Sequence, residues 1–572
     1  MKKMQNPELT NVEKLYQEYI PGFHLATYWH FDKEFLSSDL KKVKKLASYI
    51  KDPKKIASHA FMPLIGNTVV ERRISRKNTY HYYKNMLAKH QDDEEIASVC
   101  RAQVESFESK GVKKERSLAY ASHLDSHIYS YYATILRALY EKAIENTPLE
   151  NEILAYRKIR NLARNGVRSE FPSTTAAYDV IDAVKKFQHN CYALSFDLEH
   201  FFDTIEHEHL KQEWSALLGV DRLPADHFNI FKSLTRFCYI ERKEVEDTLN
   251  LYNRQARSEG KKTESLHSLF ENARIFRNFR KIYPKLYPDH PNFHQNPGLF
   301  KNGMSSHGIP QGIGISTLLS NIYMLPFDRE ISAFVNQHGG LYRRYCDDIM
   351  IIIPHDSELK DETISLLKRA VSQRGDSLKL HPIHEWDRNS KSQCFDFQDK
   401  EKLANKPLQY LGITYDGVSV RLRQSSVCKF QRKQKKAVSA MAIALTRMLK
   451  RRYLNNQSVR CISSADLHLR RTSLYERYTF RGARNFYTYA KTAASMFDSP
   501  NILAQMHSHN KMLSKVIEEA EQNLRHNLAA FLKRMHQKKL DDKRIIKEFE
   551  ATIKLSKENR QNQQDTASTD LQ

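Results

Sequence analysis

Leu341-Tyr342-Arg343-Arg344-Tyr345-Cys346-Asp347-Asp348-Ile349-Met350-Ile351-Ile352-Ile353 is the stretch that decides the fold. It reads as a hairpin in which a short strand leads into two adjacent carboxylates. The strand leading out is apolar at every position, as expected of a strand buried on both faces. Polar residues at the tip of a core hairpin need a reason. Two neighbouring aspartates repel when both ionise, and a divalent cation is the usual way to offset that cost. A solvated Asp-Asp turn is the plain alternative, because Asp is a favoured turn residue. Four residues alone leave both readings open.

Upstream, Cys191-Tyr192-Ala193-Leu194-Ser195-Phe196-Asp197 alternates as a strand, with Tyr192, Leu194 and Phe196 on one face and Ala193, Ser195 and Asp197 on the other. Asp197 stands where the pattern turns to helix, ahead of Phe201 and Phe202, so it is either a metal ligand beside a pocket wall or a helix-starting Asp. Gly308-Ile309-Pro310-Gln311-Gly312-Ile313-Gly314-Ile315 is too rich in Gly and Pro for regular helix or central strand. Ser316 is the expected N-cap of the helix that follows, and Pro326 ends or kinks it. Leu408 to Leu422 reads as a hairpin turning at Asp416-Gly417.

The 572 residues carry a net charge of +24, with 29 tyrosines and 28 phenylalanines. Such a field attracts polyanions, nucleic acid above all, and the aromatics add surfaces on which bases stack. Seven cysteines without a Cys-x-x-Cys pair argue for a reducing compartment and against a zinc finger. With no apolar run of bilayer length, the expectation is a cytoplasmic protein with no membrane segment. Ser117 to Ala143 has a helical pattern carrying His123 and His127 at i, i+4; with no third ligand in view, packing is the favoured role for the pair. Basic charge gathers at Val69 to Lys77, at Arg157, Lys158 and Arg160, and again after Lys429. Arg and Phe interleave between Arg274 and Lys281, a mix that fits backbone contacts and stacking as well as an ordinary amphipathic helix.

Taken in order, the strand ending in Asp197, the Gly-Pro-Gln-Gly loop with its helix, and Tyr345-Cys346-Asp347-Asp348 resemble motifs A, B and C of a reverse transcriptase. Leu408 to Ile413 looks like the family's motif E, and the resemblance runs from about Ala155 to Leu422. It implies an α+β, right-hand polymerase fold with fingers, palm and helical thumb, plus helical N- and C-terminal extensions. The corresponding boundaries are 1–150 for a basic helical extension, 151–425 for fingers and palm, 426–555 for the basic helical thumb and C-terminal region, and 556–572 for a disordered tail.

The resemblance further implies that Asp197, Asp347 and Asp348 are the catalytic, metal-holding carboxylates, with Mg²⁺ as the cofactor of a two-metal nucleotidyl transfer. Phe202 stands at the position that closes against the sugar 2′-oxygen and favours deoxynucleotides. Gln311 and Gly312 belong to the nucleotide pocket, Arg157 and Lys158 to the triphosphate, and Tyr345 to the primer end. Cys346 packs beneath the site as a neutral residue. The family's motif D lysine has His384 as its nearest match, which departs from the pattern. The implied partners are RNA, including a dedicated non-coding RNA, deoxynucleoside triphosphates and the DNA product; self-association is compatible with this reading. The long helical extensions, without an endonuclease finger or ribonuclease H segment, look like the bacterial antiphage defence group of abortive-infection and retron-like enzymes. There synthesis is RNA-directed or proceeds without a conventional template. A non-catalytic RNA-binding scaffold on the same fold is the competing class.

Overall fold

The structure, a computed structural model, describes residues 7–24, 30, 36–72, 74–110, 113–157, 159, 163–169, 171–243, 246–247, 250, 254, 257–258, 294–295, 299–301, 304–387, 389–456, 458–507, 509–537 and 554. Lys158, Arg160, the Arg274 to Lys281 stretch and the 556–572 tail lie outside the described residues. The chain mixes helix and sheet and divides into two compact units, one of residues 1–158 with 190–396, the other of 159–189 with 397–572.

In the first unit, β1 (Leu64–Arg72) pairs antiparallel with β2 (Lys113–Tyr120) and parallel with the strand Cys238–Glu241. The helices α1 (Ile74–Lys89) and α2 (Glu94–Lys110) are inserted between β1 and β2. This ladder corrects the expectation of an all-helical N-terminal stretch. Ser117 to Tyr120 extend β2, and α3 (His123–Ile144) begins only after Ser122, whose hydroxyl accepts from the Asp125 amide. Helical periodicity carried back through a strand because the strand runs almost directly into the helix. On α3, His123 stacks on His30 and His127 on Phe23, so both pack within the core.

The second sheet holds the opening hairpin. Its elements are β3 (Cys191–Asp197), α4 (Gly314–Tyr323), α5 (Leu325–Gln337), β4 (Leu341–Tyr345), β5 (Asp348–Pro354), α6 (Ser357–Ser372) and β6 (Gln393–Asp396), with strand order β4-β5-β3-β6. Ile349 to Ile353 are fully buried, as their unbroken apolar run requires. Helix α4 starts at Gly314, with the extended backbone of Ile313 as its cap. Ser316 is therefore a buried first-turn residue and not the N-cap, because the loop reaches its last extended residue earlier than side-chain preference indicates. Pro326 sits in the first turn of α5, where its missing N–H costs nothing.

These elements are tied by a buried charge. Arg344 and Asp328, both fully buried, form a two-pronged pair with Nε and Nη2 each 2.6 Å from a carboxylate oxygen. Tyr342 donates its hydroxyl to the same carboxylate at 2.7 Å, and Arg344 Nη1 donates to Asn321 Oδ1 at 3.2 Å and to the Cys346 carbonyl at 3.1 Å.

The second unit has the three-stranded sheet β7 (Leu408–Tyr410), β8 (Ile413–Tyr415) and β9 (Val420–Leu422), then α7 (Gln424–Asn456) and α8 (His509–Gln537). Leu449 of α7 packs with Leu524, Leu528 and Leu532 of α8, while Lys429, Arg432, Lys433, Lys435 and Lys436 are exposed. Arg477 and Arg481 lie over the rings of Tyr478 and Tyr475, so part of this basic-aromatic mix stacks on itself.

Arg344→Met leaves Asp328 as an unpaired buried charge and should lower stability by about 3–5 kcal/mol in urea unfolding. Arg344→Met/Asp328→Leu removes both charges and should recover most of that loss.

Candidate active site

Asp348 opens β5 directly opposite Asp197, the last residue of β3. Residues directly opposed in an antiparallel pair project from the same face, so register alone brings the two carboxylates together. The Leu198 amide donates to the Asp347 carbonyl at 3.2 Å, which ties the end of β3 to the turn. That turn is Cys346-Asp347. Cys346 has φ +64°, in the left-handed region, and is 4% exposed. Burial, then the adjacent Asp347, pushes its thiol up to about 12, so it is a neutral packing group.

Like charges directly opposed across a sheet repel, and the structure supplies a counter-charge. Lys391 Nζ stands 3.0 Å from Asp197 Oδ2. His381 Nε2 lies 3.4 Å from the same oxygen, and its Nδ1 is 2.8 Å from Glu199 Oε1. Burial, then Lys391, holds His381 below the usual imidazole range. A neutral ring that donates from Nδ1 to Glu199 leaves Nε2 to accept from Lys391 Nζ, 2.6 Å away. Neither Lys391 nor His381 was identified from sequence. His381 lies three residues before the His384 match, and Lys391 sits just ahead of β6 in a polar run with no recognisable period.

The other candidate residues separate into two groups. Tyr345 is half-buried beside the turn, opposite Asp348. Phe202 is half-buried and tied to the glycine loop, its carbonyl accepting from the Ile309 amide at 2.9 Å while Ile205 accepts from Gly308 at 2.8 Å. The Gln311 carbonyl accepts from the Ala119 amide of β2 at 2.7 Å. Gly312 has φ +110°, and a Cβ there would come within 2.9 Å of the Ala119 carbonyl, so its small size serves contact with β2.

Arg157 is directed elsewhere. It is 8% exposed, grips Glu141 through Nε and Nη2, and donates from Nη1 to the carbonyls of Glu150 and Ile153. In this structure its guanidinium braces the fold, where the sequence expectation had it serving a triphosphate. The residue before it is the one that reaches the turn. Tyr156, at φ +62°, brings its hydroxyl close to Cys346, and burial, then Cys346 and Asp347, push that hydroxyl up.

Among the described residues, no group of three His, Cys, Asp or Glu side chains is already arranged to hold a metal. The donor set nonetheless suits a hard cation, since Asp197, Asp347 and Asp348 offer carboxylate oxygens from two hydrogen-bonded strands and their turn. Lys391 meets one of those oxygens here.

Gly312→Ala should lower thermal stability by about 1–3 kcal/mol, since both its backbone conformation and the Ala119 carbonyl oppose a side chain. Gly339→Ala, at φ +65° with open space around it, isolates the backbone share of that cost.

Residues 266–415 match the family model described as reverse transcriptase (RNA-dependent DNA polymerase). The match takes in the glycine loop and the Asp347-Asp348 turn; Asp197 and Phe202 precede it and join the same site through sheet register and loop hydrogen bonds. Two solved structures are similar in part. One is apo telomerase from Candida tropicalis truncated from its C-terminal domain, 10% identical, with 54% of this chain and 53% of that chain covered at a TM-score of 0.31. The other is telomerase from Candida albicans in complex with a TWJ fragment of telomeric RNA, 11% identical, with 89% and 68% covered at a TM-score of 0.29. The chain thus spans about half the length of the first. No curated protein matches the sequence. The match thus places a reverse transcriptase domain over residues 266–415 of this chain.

Proposed function

We propose that this protein is an RNA-directed, or template-independent, DNA polymerase that adds deoxynucleotides at a site built on Asp197, Asp347 and Asp348. The observation that carries the reading is the β3–β5 register, which sets Asp197 opposite Asp348 beside a turn lying inside the reverse transcriptase match. In this reading Asp197, Asp347 and Asp348 would hold Mg²⁺, which when bound supplies charge stabilisation to the attacking and leaving oxygens. Phe202 limits room at the sugar 2′ position, Gln311 and Tyr345 line the nucleotide and primer sides, and Lys391 supplies a counter-charge to Asp197.

The surroundings fit palm and fingers for the first unit and a helical thumb for α7 and α8. The exposed basic residues of α7 suit the backbone of folded RNA. A dedicated non-coding RNA and a cytoplasmic antiphage role, as the sequence resemblance implies, complete the proposal. Among the described residues no helix is long and apolar enough to cross a membrane.

Asp347→Ala/Asp348→Ala should abolish Mg²⁺-dependent deoxynucleotide incorporation by protein purified with its nucleic acid. If the double variant incorporates as well as wild type, the site is wrongly assigned. Phe202→Ala should raise ribonucleotide incorporation relative to deoxynucleotide, read on the same nucleic acid. Lys433→Ala/Lys436→Ala should weaken RNA binding irrespective of sequence and flatten its log–log salt dependence by roughly 0.7 per lost contact. An unchanged slope would remove α7 from the RNA interface.

A further inference from the structure

The segment from His381 to Ser392 touches Asp197 near both its ends. The His381 amide donates to the Asp197 carbonyl at 2.9 Å, and Lys391 Nζ reaches the carboxylate at 3.0 Å. The tip of this loop lies against α1 and α2. Trp386 packs on the cluster of Tyr83, Cys100 and Val104, and the Tyr83 hydroxyl donates to Asp387 Oδ2 at 2.7 Å. Asp387 is 2% exposed. It also shapes the returning limb, with Oδ1 accepting from the Asn389 amide at 2.8 Å and its carbonyl from the Ser390 amide at 3.1 Å. The Ser390 hydroxyl then joins the two limbs through the carbonyls of Pro382 and Ser392, on either side of Lys391 in the loop.

Between this loop and α6 lies a cavity of about 550 Å³, lined by Phe196, Ile364, Leu380, Pro382, Ile383 and Cys394. On that side Ile383 packs at the edge of the core and bridges to Ser392, so the two limbs are held near Asp197 while the tip is held by α1 and α2.

We propose that Tyr83 and Asp387 are positioning residues for the reaction. Through their hydrogen bond, the helical pair α1–α2 sets how far Lys391 reaches toward Asp197. This rests on the reading of Asp197 as a catalytic carboxylate. Without the Tyr83 hydroxyl, the buried Asp387 carboxylate loses one donor, which weakens the hold of α1 on the tip and lets it shift. Lys391 then leaves Asp197, and the opposed aspartates lose their counter-charge at the reacting centre.

The test is Tyr83→Phe in the full-length chain, with Trp386→Ala as a second way of freeing the tip. Lys391 should react about two- to fivefold faster with an amine reagent, followed by mass spectrometry, as expected when an exposed ion pair opens. In incorporation assays kcat should fall about tenfold with KM for the nucleotide unchanged. In a Lys391→Ala background, Tyr83→Phe should cost nothing further, because both act through one contact. Unchanged Lys391 labelling in both variants, or losses that multiply in the double variant, would overturn the proposal. Labelling needs no turnover, so a wild-type protein silent in incorporation would count against the polymerase reading alone.

Discussion

A charge pair that water never reaches, Arg344 with Asp328, holds this site in shape. Moving both ions out of solvent is costly, and only a geometry that satisfies nearly every donor and acceptor offsets that cost. A planar guanidinium suits the task because it meets a carboxylate with two parallel bonds and still has donors to spare. Here the spare donors reach Asn321 on α4 and the carbonyl of Cys346 in the aspartate turn. One side chain thus connects two helices, a strand and the turn, and braces a left-handed residue, Cys346, whose Cβ disfavours that conformation.

On the opposite side of the turn the constraint is repulsion. The sheet register that unites Asp197 and Asp348 also confronts like charges, so a positive charge beside them is favourable. Lys391, steadied by a His381 that Glu199 orients, supplies it in this structure. A divalent ion would have to take over part of the same carboxylate. The loop that carries Lys391 is fastened to a helical pair 304 residues away in sequence at Tyr83 and Asp387.

Much of the site was legible because its signals are local. An unbroken Ile run can only be a buried strand, alternation up to Asp197 can only place it at a strand end, and a Gly-Pro-Gln-Gly stretch can only be a loop. Other expectations failed where a residue's role is set by its partners rather than by its own stretch. The strands β1 and β2 look helix-forming until the pairing of Ile65 with Tyr120 is known. Arg157 looks available until Glu141 and two carbonyls occupy it, while its neighbour Tyr156 proves to be the residue that meets Cys346.

By itself, then, the sequence determined the strand ending in Asp197, the glycine loop and the hairpin carrying Asp347 and Asp348, because periodicity, turn chemistry and burial of apolar runs act over a few residues. Only the tertiary structure decided that Asp348 faces Asp197, that Lys391 reaches the Asp197 carboxylate with His381 behind it, and that Gly312 makes room for β2. Those outcomes depend on strand register and on loop closure across hundreds of residues, where Coulomb forces and sterics select partners that no local pattern encodes.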